Sequence, residues 1–115
     1  MTRGEIWLAE FGIPYGSEPG FTRPVLVVQD DSFNESRLKT IVVLPLTTNL
    51  RLADAPGNVL IRKKDSKLTD DSVIVTSQLY AIDRGRFKEK LSKVPKPTME
   101  QVETGMKLVL GMGYP

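Results

Sequence analysis

Residues 24–29 read PVLVVQ, an apolar run rich in β-branched side chains, and Arg23 comes directly before it. β-Branched residues suit the pleated surface of a sheet, so the run predicts a buried strand. Pro24 lacks a backbone N–H and belongs at the beginning of that strand. Residues 40–46 read TIVVLPL and predict a second buried strand, which Pro45 should break. Between the two, residues 31–37 predict a polar turn or a short helix.

Further strands extend outward from this pair. Residues 5–10 (EIWLAE) alternate in polarity, as a strand does, whereas residues 12–22 hold two prolines and three glycines and predict a long, mobile loop. Beyond the central pair, the pattern predicts short strands at 58–61, 72–75 and 78–82, a polar loop at 62–71, and an exposed edge strand at 86–94.

The last part of the chain changes to helical spacing. Apolar residues recur every three or four positions from Met99 to Leu110. Thr98 and Gln101 have the spacing of a capping box, and Gly111 is a plausible helix end. Many short strands followed by one helix predict an α+β, mainly β fold, a small barrel-like structure with a C-terminal α-helix. The length of 115 residues predicts one domain over residues 1–115.

Composition excludes several classes of site. Apolar residues make up 40% of the chain and charged residues 26%, as in soluble globular proteins. The sequence contains no cysteine and no histidine, which excludes disulfides, thiolate zinc sites and the commonest general acid–base residue. No metal-ligand cluster, P-loop or dinucleotide fingerprint is visible, so we expect no metal and no cofactor. The absence of a signal core or an apolar span predicts a cytoplasmic protein that does not enter membranes.

Charge is unevenly distributed. The chain has 16 basic and 14 acidic residues, but the segment from Arg84 to Lys96 has six basic residues against Glu89 alone. This asymmetry is compatible with an anionic partner, either nucleic acid or an acidic protein segment. On charge alone, a solvated lysine-rich strand is the favoured interpretation.

Polar residues gather at the ends of the two central strands. Arg23 begins one strand, Thr47-Thr48-Asn49 ends the other, and Ser17-Glu18 lies in the preceding loop. An arginine at a strand end could bind two phosphate oxygens, and threonine hydroxyls could donate to the same oxyanion. A purely structural role for these strand-end residues remains the alternative at this level.

Several ordered motifs resemble the MazF/PemK/Kid toxins, and the likeness covers almost the whole chain. They are Arg3-Gly4-Glu5-Ile6-Trp7-Leu8, Gly16-Ser17-Glu18, Thr22-Arg23-Pro24-Val25, Phe33-Asn34, Val43-Leu44-Pro45-Leu46-Thr47-Thr48, Asp71-Ser72-Val73, Gln78 and Ile82-Asp83. The resemblance implies an SH3-like β-barrel homodimer. It also implies the toxin of a toxin–antitoxin pair: a metal-independent endoribonuclease that cuts single-stranded RNA at short motifs and is inhibited by a cognate antitoxin protein.

The resemblance also implies the site. Arg23 and Thr47 match the central catalytic pair, and Glu18 matches an acidic residue proposed as a base in some members. The residues expected to bind RNA are Ser17, Thr48, Asn49, Gln78 and Tyr80. This chain lacks the histidine that the Kid branch has at the position of Ser17, and the Arg-x-Asp pair at 75–77. It also has Tyr80 where many MazF-like proteins have arginine, so Tyr80 either stacks on a base or packs at the barrel surface.

Two other functions stay open from the sequence. One is a gyrase-poisoning toxin like CcdB, which shares this fold and would not need Arg23 and Thr47 at a common phosphate site. The other is a non-catalytic RNA-binding barrel of the same fold.

Overall fold

The computed structural model describes residues 1–13, 15–17 and 21–113. Within these residues, seven strands form one sheet. The strands are β1 (Glu5–Glu10), β2 (Thr22–Val27), β3 (Thr40–Thr47), β4 (Val59–Ile61), β5 (Ser72–Ile74), β6 (Tyr80–Asp83) and β7 (Phe87–Lys93). The α-helices are α1 (Asp31–Asn34), α2 (Lys63–Ser66) and α3 (Lys96–Leu110), and short 3₁₀ helices cover Leu50–Asp54 and Arg84–Arg86.

The sheet is antiparallel and centred on β1, β2 and β3. Its order is β4-β5-β3-β2-β1-β7, and β6 pairs with the first half of β3. Among the described residues no strand pairing joins β6 to β7, so the hydrogen-bonded sheet is not closed into a ring. The α+β, mainly β class with a C-terminal helix is confirmed. The edge strand expected at 86–94 is confirmed as β7, for which β1 is the one partner strand in the described part of the chain.

Both faces of the central sheet are buried. Side chains alternate between faces along a strand, so Leu26 and Leu44 point to one side while Val25 and Val43 point to the other. The first side packs against β4, β5 and α3, through Met99 and Val102 of the helix. The second side forms a separate core, which has aromatic residues at its margin.

Pro45 does not break its strand, contrary to the sequence prediction. β3 continues through it to Thr47, and Pro45 pairs with Val25 of β2. On its other edge β3 changes partner near this point, from β6 at Thr40–Val43 to β5 at Leu46–Thr47. The missing N–H therefore interrupts no ladder, while the Pro45 carbonyl accepts the N–H of Val75 at 3.0 Å.

The C-terminal helix begins earlier than its sequence signals indicate. α3 starts at Lys96 after Pro95, no side-chain cap forms, and the N–H of Thr98 donates to the Pro95 carbonyl. The capping-box prediction is wrong, because Thr98 lies inside the first turn. The predicted end is confirmed: Gly111 caps the helix with φ +68°. None of the described helices has the length and apolar character needed to cross a membrane.

The polar segment 62–71, predicted as a loop, contains the single turn α2. Asp71 accepts the backbone N–H of Lys63 at 2.8 Å and pairs with Arg62 at 3.2 Å, which holds the start of that turn. Asp71 therefore has a structural role at the start of α2.

Candidate active site

Arg23 and Thr47 are brought together by the register of β2 and β3. Val25 pairs with Pro45 in this antiparallel ladder, and continuing the register by two residues places Arg23 opposite Thr47. On its other side Arg23 pairs with Ala9 of β1. Arg23 therefore stands on an interior strand, where the β1–β2 ladder holds its backbone.

An open cavity lies at these strand ends. Its volume is about 300 Å³, and its lining comprises Phe21, Thr22, Arg23, Pro24, Leu46, Thr47 and Thr48. Thr48 also borders two neighbouring cavities, one beside Lys63 and one beside Lys67. The space around Arg23 and Thr47 thus opens toward other polar surface, which suits a chain-like substrate better than a small enclosed ligand.

The charge of Arg23 is available to a ligand. Within residues 1–13, 15–17 and 21–113, no carboxylate lies within ion-pair distance of its guanidinium. The side chain is half-buried, so its charge meets less solvent screening than a fully exposed one. A planar guanidinium in that position can bind two oxygens of one phosphate.

The hydroxyl of Thr47 is oriented by its neighbour. Its Oγ1 accepts the backbone N–H of Asn49 at 3.2 Å. Because that bond uses an oxygen lone pair, the hydroxyl proton remains able to donate to an oxyanion. Asn49 itself caps the following 3₁₀ helix, and its Oδ1 accepts the N–H of Arg51 at 3.3 Å.

Two of the predicted RNA-binding residues meet across a long sequence separation. Gln78 Nε2 donates to the backbone carbonyl of Ser17 at 3.1 Å, which joins the turn after β5 to the β1–β2 connection. Glu18, the predicted base, lies outside the described residues.

Tyr80 lies at a different cavity from Arg23 and Thr47. Tyr80 lies on β6 and pairs with Val43 of β3. Its ring contacts that of Phe11 edge to face, with 5.5 Å between the ring centroids. The cavity beside it, about 200 Å³, is also bordered by Asp83 and Arg86.

The sequence reasoning missed Phe21 and Thr22 as lining residues of the Arg23 cavity, although their positions directly before Arg23 were a usable signal.

The described part of the chain brings together no group of three or more carboxylates that could hold a metal ion. The chemistry that Arg23 and Thr47 offer is a cation and a hydroxyl donor at one cavity.

Comparison with known proteins identifies the family. Residues 2–110 match the model of the PemK-like, MazF-like toxin of type II toxin–antitoxin systems. The chain belongs to that family. Endoribonuclease MazF2 of Mycobacterium bovis and endoribonuclease MazF6 of Mycobacterium tuberculosis are each 36% identical to it over 112 residues, which span 97% of this chain and 98% of theirs. The family and the enzyme class expected from the sequence are confirmed.

The fold of this MazF-like chain matches that of a solved relative. An endoribonuclease in complex with its cognate antitoxin, from a mycobacterial species, superimposes with a TM-score of 0.81 at 23% identity, over 100% of this chain and 99% of that one. At 23% identity this likeness shows the fold alone, including the arrangement of the strands that carry Arg23 and Thr47.

Proposed function

We propose that this toxin is a sequence-specific, metal-independent endoribonuclease that cuts single-stranded RNA, including mRNA. The observation that carries the proposal is the shared cavity of Arg23 and Thr47 at the ends of two paired strands. The family supports the RNA substrate, since the relatives that match over nearly the full length are named endoribonucleases. The resemblance to the MazF/PemK/Kid toxins implies an internal nucleophile, the 2′-hydroxyl of the RNA itself, and a sequence without histidine or cysteine is compatible with that chemistry.

The proposed reaction uses the 2′-hydroxyl of the RNA as nucleophile. Its oxygen attacks the adjacent phosphorus, the P–O5′ bond breaks, and the products are a 2′,3′-cyclic phosphate and a 5′-hydroxyl end. One proton leaves the 2′-hydroxyl and one is delivered to the departing 5′-oxygen. Negative charge accumulates on the phosphorane between these events, and a preorganised donor there lowers the barrier most.

Each proposed catalytic residue has one task. Arg23 stabilises the phosphorane charge, which suits a guanidinium because it remains protonated in proteins. Thr47 donates its hydroxyl proton to an oxygen of the scissile phosphate. Glu18 receives the proton of the 2′-hydroxyl, and solvent water delivers the proton that the departing 5′-oxygen takes up.

The remaining predicted residues bind the RNA on either side of the cut. Thr48 borders the reaction cavity and its two neighbours, so it contacts the strand as it leaves the site. Polar side chains for further RNA contacts lie close to this site. Asn49 follows the end of β3, and Gln78 is hydrogen-bonded to Ser17 of the β1–β2 connection. Tyr80 contacts a base farther along the chain of nucleotides.

The proposed assembly is a cytoplasmic homodimer of SH3-like barrels, held inactive by an acidic antitoxin segment. The end of α3 supports a second copy, since Val109, Leu110 and Met112 are exposed there. A solved relative in complex with its cognate antitoxin supports the other partner. Sedimentation at micromolar concentration should give a dimer, and a saturating antitoxin should abolish RNA cleavage.

Incubation of a long RNA with the purified protein in EDTA tests the activity. Cleavage should persist and leave 5′-hydroxyl ends, and an RNA with a 2′-deoxy substitution at the cut should bind without being cut. A strict magnesium requirement or 5′-phosphate products would contradict the mechanism. RNA binding without cleavage would favour the non-catalytic barrel, and gyrase inhibition without RNA cleavage would favour the CcdB-like alternative.

A further inference from the structure

Phe21 is an exposed aromatic residue at the cavity of Arg23 and Thr47. Its side chain is 66% exposed, and it borders the same cavity of about 300 Å³. It belongs to neither core cluster of the described residues, whereas Phe11, its neighbour across the hairpin, packs against the second core and Tyr80. Among the residues that the structure describes, the ring of Phe21 therefore has no packing role comparable to that of Phe11.

The backbone of Phe21 adopts a conformation that favours glycine. Its φ is +57°, in the left-handed region, where a bulky side chain is a genuine outlier. The other non-glycine residue with positive φ in the described chain is Lys67, which ends α2, where a left-handed cap is ordinary. Phe21 ends no helix. Strained residues of this kind concentrate at sites of function, so the ring itself needs an explanation.

Backbone hydrogen bonds hold this strained position in place. The Phe11 N–H donates to the Phe21 carbonyl at 2.8 Å, and the Phe21 N–H donates to the Gly12 carbonyl at 2.5 Å. These bonds extend the β1–β2 ladder beyond Thr22. The ring consequently stands directly before the first residue of β2 and borders the reaction cavity.

We propose that Phe21 is a base-stacking residue, which holds the nucleobase next to the scissile phosphate against its ring. This inference rests on the proposed ribonuclease function and deepens it. Unpaired bases of single-stranded RNA stack on aromatic side chains, and every base can do so because every base has a π-face. The ring contributes affinity and positions the nucleotide whose phosphate Arg23 and Thr47 hold, while hydrogen bonds elsewhere read the sequence.

The first experiment measures RNA binding by matched variants. Cut sites are mapped on a long mRNA, and a short RNA around one site is made with a 2′-deoxy substitution at the cut. Phe21→Leu keeps apolar bulk but removes the π-face, so its Kd for this RNA should rise roughly 10- to 100-fold. Phe21→Trp should bind like the wild type. Phe33→Leu is the matched control, because Phe33 is 56% exposed on α1 and should leave Kd unchanged.

The second experiment identifies the stacked base with abasic nucleotides at each position of the same RNA. At one position beside the cut, the abasic substitution should weaken binding to the wild type but not to Phe21→Gly. Such non-additivity is the signature of a direct contact. Phe21→Gly also relieves the left-handed backbone, so its Tm should equal or exceed that of the wild type while its RNA affinity falls.

Several results would overturn the inference. Unchanged Kd for Phe21→Leu in a wild type that binds and cuts RNA would remove Phe21 from the substrate site and leave the ribonuclease proposal intact. Additive effects at every abasic position would do the same. Loss of antitoxin binding or of dimerisation by Phe21→Leu, with RNA affinity unchanged, would make the ring a protein contact. A wild type that neither binds nor cuts RNA would instead refute the proposed function itself.

Discussion

Arg23 stands beside two neighbouring strands, and no carboxylate of the described residues neutralises it. If its guanidinium meets charge that grows in the transition state, Arg23→Ala should lower the cleavage rate by roughly 10²–10³-fold, the effect of losing one oxyanion donor. Arg23→Lys should recover little, since an ammonium cannot reproduce the planar fork. The measurement is single-turnover cleavage at saturating enzyme. A folded Arg23→Ala protein that cuts at the wild-type rate would exclude this site assignment.

A substitution at Thr47 can test the role of its hydroxyl group separately from its shape. Thr47→Val keeps the branched shape and the β propensity of the strand, so circular dichroism should be unchanged. The lost donor should slow the chemical step by roughly 10-fold or more, while RNA affinity changes little. Thr40→Val, at the opposite end of β3, is the matched control and should cut normally. Equal rates for both variants would make Thr47 a structural residue.

Glu5 gives a stability prediction. Burial by itself would raise the pKa of this carboxyl. It is outweighed by hydrogen bonds from Trp7 Nε1 and the Thr2 N–H and by the ion pair with Lys90 at 2.9 Å. Together these contacts lower the pKa to about 2. The usual value is 4.5. The folded state therefore gains stability above pH 4.5, roughly 3 kcal/mol at neutral pH, and loses it as pH falls toward 2.

Urea unfolding of the wild type and Glu5→Gln across pH 7 to 2 checks this effect. The two free energies of unfolding should differ most at neutral pH and converge at acid pH. Glu89→Gln, at an exposed position of β7, should follow the wild type throughout. A constant difference between wild type and Glu5→Gln would show that the charge of Glu5 is not the cause.

Residue types at the site could be predicted from the sequence, and their neighbours only in part. The strand pattern places Arg23 and Thr47-Thr48-Asn49 at the ends of two buried strands, and the resemblance to the MazF/PemK/Kid toxins singles out Arg23 and Thr47 as a pair. The β2–β3 register brings these two residues together. The sequence could not show that Asn49 caps a 3₁₀ helix or that Tyr80 borders another cavity, since those contacts depend on register with distant segments. The position of Phe21 beside Arg23 was a usable signal for its place at the cavity, but its left-handed backbone could not be predicted from the sequence.

At the scale of elements, α3 depends on one close approach. Gly105 lies against the turn at Gly57, and a Cβ at position 105 would overlap the Gly57 carbonyl oxygen. Alanine is intrinsically the better helix former by about 1 kcal/mol. Overpacking against backbone costs roughly 1–3 kcal/mol or more, so the clash should exceed the propensity gain. Gly105→Ala should therefore lower the free energy of unfolding.

Thr104→Ala is the matched control for this prediction. Thr104 is the adjacent exposed residue on α3, and its hydroxyl donates to the Glu100 carbonyl of the same helix, its one hydrogen bond within the described ranges. Its substitution should leave the free energy of unfolding within about 0.5 kcal/mol of the wild type. Equal or greater stability for Gly105→Ala would mean that the helix shifts away from the turn at little cost.

Element types were more predictable than element ends. Alternation and β-branched runs identified the strands, because burial of a sheet face imposes that period. The errors lay where a tertiary contact replaces a local signal. β3 tolerates Pro45 because the sheet changes partner there, and α3 begins at Lys96 without any side-chain cap.

At the scale of the molecule, the basic segment from Arg84 to Lys96 is largely occupied by internal contacts. Arg84 donates to the carbonyls of Leu38 and Asn34, each at 2.7 Å. Lys90 pairs with Glu5, and Lys88 lies 3.6 Å from a carboxylate oxygen of Glu10. These contacts favour the structural interpretation of the charge asymmetry. The sequence could not distinguish the interpretations, because the partners of these residues lie on β1 and around α1.

The salt dependence of RNA affinity separates the two sources of positive charge. Each phosphate neutralised on a single strand contributes about 0.7 to the slope of log K against log salt concentration. Arg23→Ala should therefore reduce the slope by about 0.7, because its cation is unpaired among the described residues and borders the reaction cavity. Lys88→Ala removes the same formal charge from β7, where Glu10 already balances it, and should leave the slope unchanged. The measurement is the Kd for the 2′-deoxy-substituted RNA at several salt concentrations. Equal slope changes for the two variants would show that RNA affinity follows the net charge of the protein rather than the cation at the strand-end site.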